Sequence, residues 1–408
     1  MGTLNQAEMR DGVFLILLRA AVHNETAELP EGIDCWPAVC SLASDQQVLP
    51  MIVDAAYRCK AVVPPELMSQ AQAVSLRLVM QQALRTQSFL KLYRFLSDRD
   101  LQPAVMKGLI CRSLYPEPDQ RRSGDEDMLI DPRDLDAAHE ALLAFGLHCD
   151  QEEISPGMHE ITYLSRQLHI ELHLSLFPAD SRAFGDCNEL FDEVLEHAVS
   201  LDFNGVNVRT LCPTDHLLYL ICHTYKHFLH SGVGIRQICD IDMFAKHYQA
   251  EIDWSRILNS CRRIRIERFT AALFRIGVKY LGFEMPDEFA GIQVDETALL
   301  NDILSGGVYG ATDEDRQHSS TITLEAVEAQ KEGRKGKGAL ASVFRPLESL
   351  VGQYPYLEKH PWLLPVAWTQ RVFRYLFRRD RGGSINPSES IRIGKERTQL
   401  LREYGIID

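Results

Sequence analysis

The 408-residue sequence has no Cys-x-x-Cys pair, no long apolar run, no internal repeat and no surplus of basic charge. Each absence removes a class of protein. Ten cysteines are present but scattered, the closest two being Cys35 and Cys40, so reduced thiols in a reducing compartment are expected rather than a disulfide scaffold. Glu8 and Asp11 precede the first apolar run, Val13 to Val22, which Arg19 interrupts, and this start fits neither a signal peptide nor a membrane span. The most apolar stretch elsewhere, Trp362 to Trp368, is far short of the ~20 residues a span needs. The expectation is a cytoplasmic protein without a membrane partner. Lys plus Arg total 43 against 57 Asp plus Glu, a formal charge of −14, which argues against a protein that coats phosphate backbones non-specifically. A local basic groove stays open.

What remains is ordinary globular composition: 45% hydrophobic and 25% charged residues, over a length that predicts two or three units at roughly 100–200 residues each. Residues 1–101 read as a helical region, because apolar side chains such as Ala71, Val74, Leu78, Phe89, Leu92 and Phe95 recur largely at three- and four-residue steps. Over 102–212 the period alternates. Strands are predicted at Ala104 to Met106, Asp125 to Ile130, Glu160 to Leu164 and Leu168 to Leu174, with a hairpin turn at Ser165 to Gln167. A helix from Arg133 to Phe145 closes on Gly146. Residues 213–304 return to helices, the first capped by Thr214, running to about His230 and stopped by Ser231 and Gly232. Gly, Ser, Thr and charge mark 305–342 as a linker or long loop. The segment 343–408 carries a final helical piece, Pro346 to Phe377, then a Gly382-Gly383-Ser384 break and a polar tail.

The chemistry-bearing segment is Lys107-Gly108, Tyr115-Pro116, then Arg121 through Ile130. On a strand, alternate residues share a face, so Asp125 and Asp127 point the same way. Two carboxylates that close call for a cation, and paired hard oxygens suit Mg²⁺ shared with substrate phosphates. In Leu168 to Leu174 the residues His169, Glu171 and His173 share the opposite face from the leucines, which makes Glu171 the third carboxylate, as a metal ligand or proton acceptor, and lets a flanking histidine hold a phosphate. The plainer alternative makes the aspartates the wet face of an edge strand and pairs Glu171 with His169 or His173. Farther on, His216, His223, His227 and His230 fall on one stripe of a helix, either lining a nucleotide pocket beside Lys226 or binding a transition metal through His223 and His227. Arg236 and Asp240 are spaced for an i, i+4 ion pair, and Arg371, Arg374, Arg378, Arg379 and Arg381 make a basic solvated helix end.

The run Val105 to Gly108, Leu114-Tyr115-Pro116, Arg121 and Ser123 to Ile130 resembles an uncharacterised nucleotidyltransferase family of the DNA-polymerase-beta-like superfamily. The resemblance extends to His223, Lys226, His227 and Arg236 to Asp240, and to Tyr354-Pro355, Pro361 to Pro365 and Arg371, covering most of the chain from about residue 80. It implies an α+β fold with a small mixed sheet flanked by helical regions, and an enzyme that moves an NMP from an NTP, ATP foremost, to an acceptor while releasing pyrophosphate. The acceptor is a small molecule, peptide, protein or small RNA. It implies Mg²⁺, or Mn²⁺ in its place, on Asp125, Asp127 and Glu171, with Lys107, Gly108, Arg121, Ser123, Gly124, His173, His223, Lys226 and His227 on the nucleotide. Gly108 would admit phosphate to a helix amino terminus, Lys107 would add a point charge, and Arg121 would offset charge on pyrophosphate. Glu126 departs from the family's usual apolar residue between the aspartates, and a buried carboxylate there needs a partner. It favours the competing reading of a nucleotide sensor that does not turn over. A metal-dependent phosphotransferase or hydrolase is a third reading.

Overall fold

The computed structural model describes residues 6–230, 232–306, 314–334, 350, 354–377 and 387–408. Four helices come first: α1 (Gln6–His23), α2 (Trp36–Asp45), α3 (Leu49–Arg58) and α4 (Pro65–Ser97). Pro65 takes the first helical position of α4, where a missing N–H removes no bond.

The alternating region supplies β1 (Ala104–Met106), α5 (Gly108–Arg112), β2 (Glu126–Leu129), α6 (Leu135–Phe145), β3 (His148–Cys149), β4 (Glu160–Leu164), β5 (His169–His173), β6 (Val199–Phe203) and β7 (Val206–Thr210). They build one seven-stranded sheet in the order β3-β4-β5-β2-β1-β7-β6. Strand β1 is antiparallel to β2 and parallel to β7, and β2 is parallel to β5, so the sheet is mixed and the fold α+β. Every residue of β1 and β2 is buried, as central strands require. Helix α6 stops at Gly146, whose φ of 102° is the left-handed cap that glycine adopts without strain.

Helices α7 (Pro213–His230), α8 (Ile235–His247), α9 (Trp254–Arg263), α10 (Glu267–Ile276), α11 (Asp287–Ala290) and α12 (Thr297–Gly306) follow. Thr214 does not cap α7; its hydroxyl accepts the Asp253 N–H at 2.9 Å and ties α7 to the start of α9. One continuous hydrophobic core runs from Val13 to Ile407. The amino-terminal helices share it and are fastened to the later ones. The Gln46 amide donates to the Ile303 carbonyl and accepts the Ile235 N–H, both at 2.8 Å.

Two composition-based readings need correction. Inside the expected linker, Glu314–Lys331 forms helix α13, while 307–313 and 335–342 lie outside the described residues. Ile322, Thr323 and Val327 of α13 are buried at helical spacing, and averaging over the polar window hid that face. The expected polar tail contains the helix Pro387–Glu403, which buries Arg397, Leu400 and Leu401. Ser231, the Gly382-Gly383-Ser384 break and the side chains of the basic run from Arg371 to Arg381 lie outside the described residues. All ten cysteines are free thiols, and no described helix is long and apolar enough to cross a membrane.

Candidate active site

Strands β2 and β5 pair in parallel with Asp127 directly opposite Glu171. Residues opposite each other in a parallel pair send their side chains to the same face, so the register itself brings these carboxylates together. Ligand atoms of Asp127, Glu171 and His173 all lie within 4.8 Å of one another. Asp125 stands just ahead of β2 and shares their field. Burial, then repulsion from Asp127 and to a lesser extent Glu171, pushes its carboxyl above the ordinary range despite Lys107. Asp127 is buried in the middle of the sheet, not on the wet face of an edge strand. Glu171 nevertheless sits 3.8 Å from His169 and 3.7 Å from His173, within weak ion-pair range of both.

Lys107 balances this charge. Its Nζ is 2.8 Å from Asp127 Oδ1 and 2.9 Å from His223 Nε2. Burial alone would raise Asp127, but Lys107 and the His173 hydrogen bond hold it well below the usual carboxylate range. His173 Nε2 lies 3.1 Å from Asp127 Oδ1. Burial opposes a charge on His173, and the hydrogen bonds to Asp127 and Glu171 outweigh it and raise its pKa. Lys107 has φ +51°, unfavourable for a side chain with a Cβ, and the geometry is pinned by its N–H donating to His216 Nε2 at 3.2 Å.

Several residues expected on the nucleotide have other partners. Gly108, φ +21°, faces Glu126, and a Cβ there would fall inside the radius of Glu126 Oε2. That oxygen accepts the Leu109 N–H at 2.8 Å, while Arg112 Nη1 meets Glu126 Oε1 at 2.6 Å. The amino terminus of α5 is therefore filled by the protein's own carboxylate rather than left for phosphate. Arg121 is buried in a two-pronged pair with Asp240, which also accepts from Tyr115 OH at 2.8 Å. Asp240 thus pairs with Arg121, not with Arg236; Arg236 Nη1 donates to the Gln47 side chain at 2.9 Å and to the Arg122 carbonyl. Ser123 is buried against α4 and α5, its N–H donating to Gln82 Oε1 at 2.9 Å and its hydroxyl accepting from Arg112 at 3.0 Å. Gly124 is exposed, with nothing near its missing Cβ.

The histidine stripe of α7 divides. His216 is core: fully buried, against Phe244, bridging Thr210 Oγ1 at 3.1 Å and the Lys107 N–H. His223 and His227 face the carboxylates, their Nε2 atoms 3.1 Å apart. Burial, followed by Lys107, drives both far below the usual imidazole range, so both are neutral. Lys226 belongs to the same field; burial lowers it, opposed by Glu160 and Glu171. His230 packs edge-on against Phe184.

Two residues at this site escaped the sequence reading, His159 and Glu160. With His173 they form a second described group of close potential metal ligands. Glu160 is the direct cross-strand partner of His173 in the β4–β5 hairpin. Counting back from the predicted turn would set Glu160 opposite Leu172; the turn closes by Ser165 N–H donating to the Leu168 carbonyl, one residue later, which sets it opposite His173.

The donor set fits a hard divalent cation: Asp127 and Glu171 offer oxygens from adjacent strands, and Asp125 has a pKa raised by burial first and by its acidic neighbours second. A family model described as an uncharacterised nucleotidyltransferase matches residues 34–282. That range takes in α2 to α4, the whole sheet and α7, and the carboxy-terminal Tyr354-Pro355 and Pro361 to Pro365 elements lie beyond it. Neither curated proteins nor solved structures match the chain.

Proposed function

Since the chain belongs to this uncharacterised nucleotidyltransferase family, we propose that it transfers a nucleoside monophosphate from an NTP, ATP foremost, to an acceptor nucleophile and releases pyrophosphate. The observation that carries this reading is the in-register pair Asp127 and Glu171 on adjacent central strands, with Asp125 beside it. In this reading the three carboxylates hold Mg²⁺, or Mn²⁺, which when bound offsets negative charge on the reacting phosphates.

The chain's own residues do the rest. Lys107 and Lys226 supply positive charge toward the triphosphate, and neutral His223 and His227 present ring nitrogens beside it. The acceptor oxygen bonds to the α-phosphorus as the α–β anhydride bond breaks, and that bond's electron pair leaves with pyrophosphate. The acceptor's proton passes to Glu171, which is partly exposed. Arg121, Ser123 and Gly108 act from behind, as braces of the turn and strand that carry the aspartates. Glu126 was the support for a sensor without turnover, and its carboxylate is satisfied by Arg112 and the Leu109 N–H, away from the cation-facing pair.

The test is label from the α-phosphate of NTPs, incubated with the full chain and a lysate, together with pyrophosphate release. Covalent label on an acceptor with stoichiometric pyrophosphate is expected; phosphate release instead would favour a phosphotransferase or hydrolase. Asp125→Asn is the cleanest variant, because it removes repulsion rather than an ion pair. It is expected to abolish transfer with the melting temperature unchanged or raised. Full activity in that variant would defeat the assignment. Asp127→Asn is expected to lose activity and stability together, since it strips a partner from Lys107 and His173.

A further inference from the structure

Beside the oxygen-rich carboxylates lies a group of different chemistry. Strands β4 and β5 are antiparallel with Glu160 opposite His173, and the His159 carbonyl extends the ladder by accepting the Leu174 N–H at 2.9 Å. The hairpin thus brings His159, Glu160 and His173 together. Their ligand atoms lie within 4.8 Å of one another, with Glu160 Oε2 3.5 Å from His159 Nε2 and 3.8 Å from His173 Nδ1.

The hydrogen bonds fix which nitrogens are available. Ser175 Oγ donates to the Phe177 carbonyl at 3.0 Å, so its contact with His159 Nδ1, also 3.0 Å, has the imidazole N–H as donor. The His159 lone pair is then on Nε2. His173 donates Nε2–H to Asp127, which leaves its Nδ1 toward Glu160, and a metal binding there displaces the second ring proton that the raised pKa favours. Both His159 Nε2 and His173 Nδ1 are buried and have no hydrogen-bond partner, and His173 is only 3% exposed. A buried ring nitrogen without a hydrogen-bond partner is unfavourable, and two converging on one carboxylate call for a shared occupant.

We propose that His159 Nε2, His173 Nδ1 and Glu160 bind a transition-metal dication of the zinc class, separate from the hard-cation position at Asp125, Asp127 and Glu171. Ligands about 2.0 Å from a tetrahedral ion lie roughly 3.3 Å apart, and Glu160 Oε2 stands 3.5 and 3.8 Å from the two ring nitrogens, so a small inward shift closes the set. Two imidazoles and one carboxylate select zinc, cobalt or nickel over magnesium. The outer partners are those such ligands need, Ser175 holding one ring and Asp127 the other. Three protein ligands leave a coordination position for water or a substrate atom.

This site does not rest on the nucleotidyl-transfer reading, and its test uses no nucleotide. Metal-stripped full-length protein is titrated with Co²⁺. Expected are one ion per chain with visible ligand-field absorption, and two paramagnetically shifted exchangeable imidazole N–H resonances, from His159 and His173. Zn²⁺ should displace the ion and a large excess of Mg²⁺ should not. Glu160→Gln, at a partly exposed position that tolerates the change, should weaken Co²⁺ binding roughly tenfold or more, and His159→Ala should remove one shifted resonance. No stoichiometric Co²⁺ binding, displacement by Mg²⁺, or wild-type affinity in both variants overturns the proposal. A failed transfer assay leaves it standing, and a failed Co²⁺ titration leaves the transfer reading standing.

Discussion

Glu126 carries more of the fold than its place between two site aspartates suggests. It is completely buried, yet both carboxylate oxygens are engaged, one by Arg112 and one by the Leu109 N–H at the start of α5. Arg112 in turn reaches the Ser123 hydroxyl at 3.0 Å and the Thr86 hydroxyl at 3.2 Å, so one ion pair ties β2, α5, α4 and the turn before Asp125. Removing one partner of a buried pair leaves the other charge uncompensated, and Glu126→Ala is expected to destabilise by about 3–5 kcal/mol in denaturant unfolding. A loss within the range of an ordinary surface substitution would show that the pair is not structural. The need for a partner at Glu126 was legible in the sequence. The partner was not, because Arg112 lies on another element and only packing decides whether its guanidinium turns inward.

At the scale of elements, α7 carries His223, Lys226 and His227 toward the carboxylates, and its last turn is held from outside. Arg397 of the helix Pro387–Glu403 donates to the Phe228 and His230 carbonyls, the latter at 2.7 Å, and Thr323 of α13 donates to the Leu229 carbonyl at 2.5 Å. These are the carbonyls that a helix end leaves without internal partners. Arg397→Ala is therefore expected to cost about 1–3 kcal/mol and to speed amide exchange over residues 226–230 more than over β2. Uniform exchange rates across both elements would argue against a local cap. The span of α7 to about His230 was expected from the sequence, whereas the cap of its last turn comes from segments whose polar composition suggested no packing role. The hairpin β4–β5 shows the same limit. Its alternation was readable, but its register depended on one residue of turn length, and that residue determines whether Glu160 faces His173.

Across the whole molecule, stability and charge meet at Asp242. This α8 residue is 2% exposed against Gly277, where a Cβ would collide with its carboxyl, and burial without a countercharge raises its pKa well above normal. The folded chain thus holds this proton more tightly than the unfolded one. The stability it contributes is complete below the unfolded carboxylate pKa of about 3.9 and is lost as pH rises through the elevated native value. Asp242→Asn stays neutral throughout, so its melting temperature relative to wild type is expected to be higher at about pH 8 than at about pH 5. An equal difference at both would show that Asp242 is ionised in the fold. The sequence by itself marked the strands at Ala104 to Met106, Asp125 to Ile130, Glu160 to Leu164 and Leu168 to Leu174, because alternation and residue type are local properties, and through the resemblance of its motifs it led to the family and the α+β class. Only the tertiary structure decided that Arg121 serves Asp240, that Gly108 makes room for Glu126, and that His159 and Glu160 join His173. Those outcomes depend on which long side chain reaches which distant partner once the core closes, and spacing along the chain does not encode that distance.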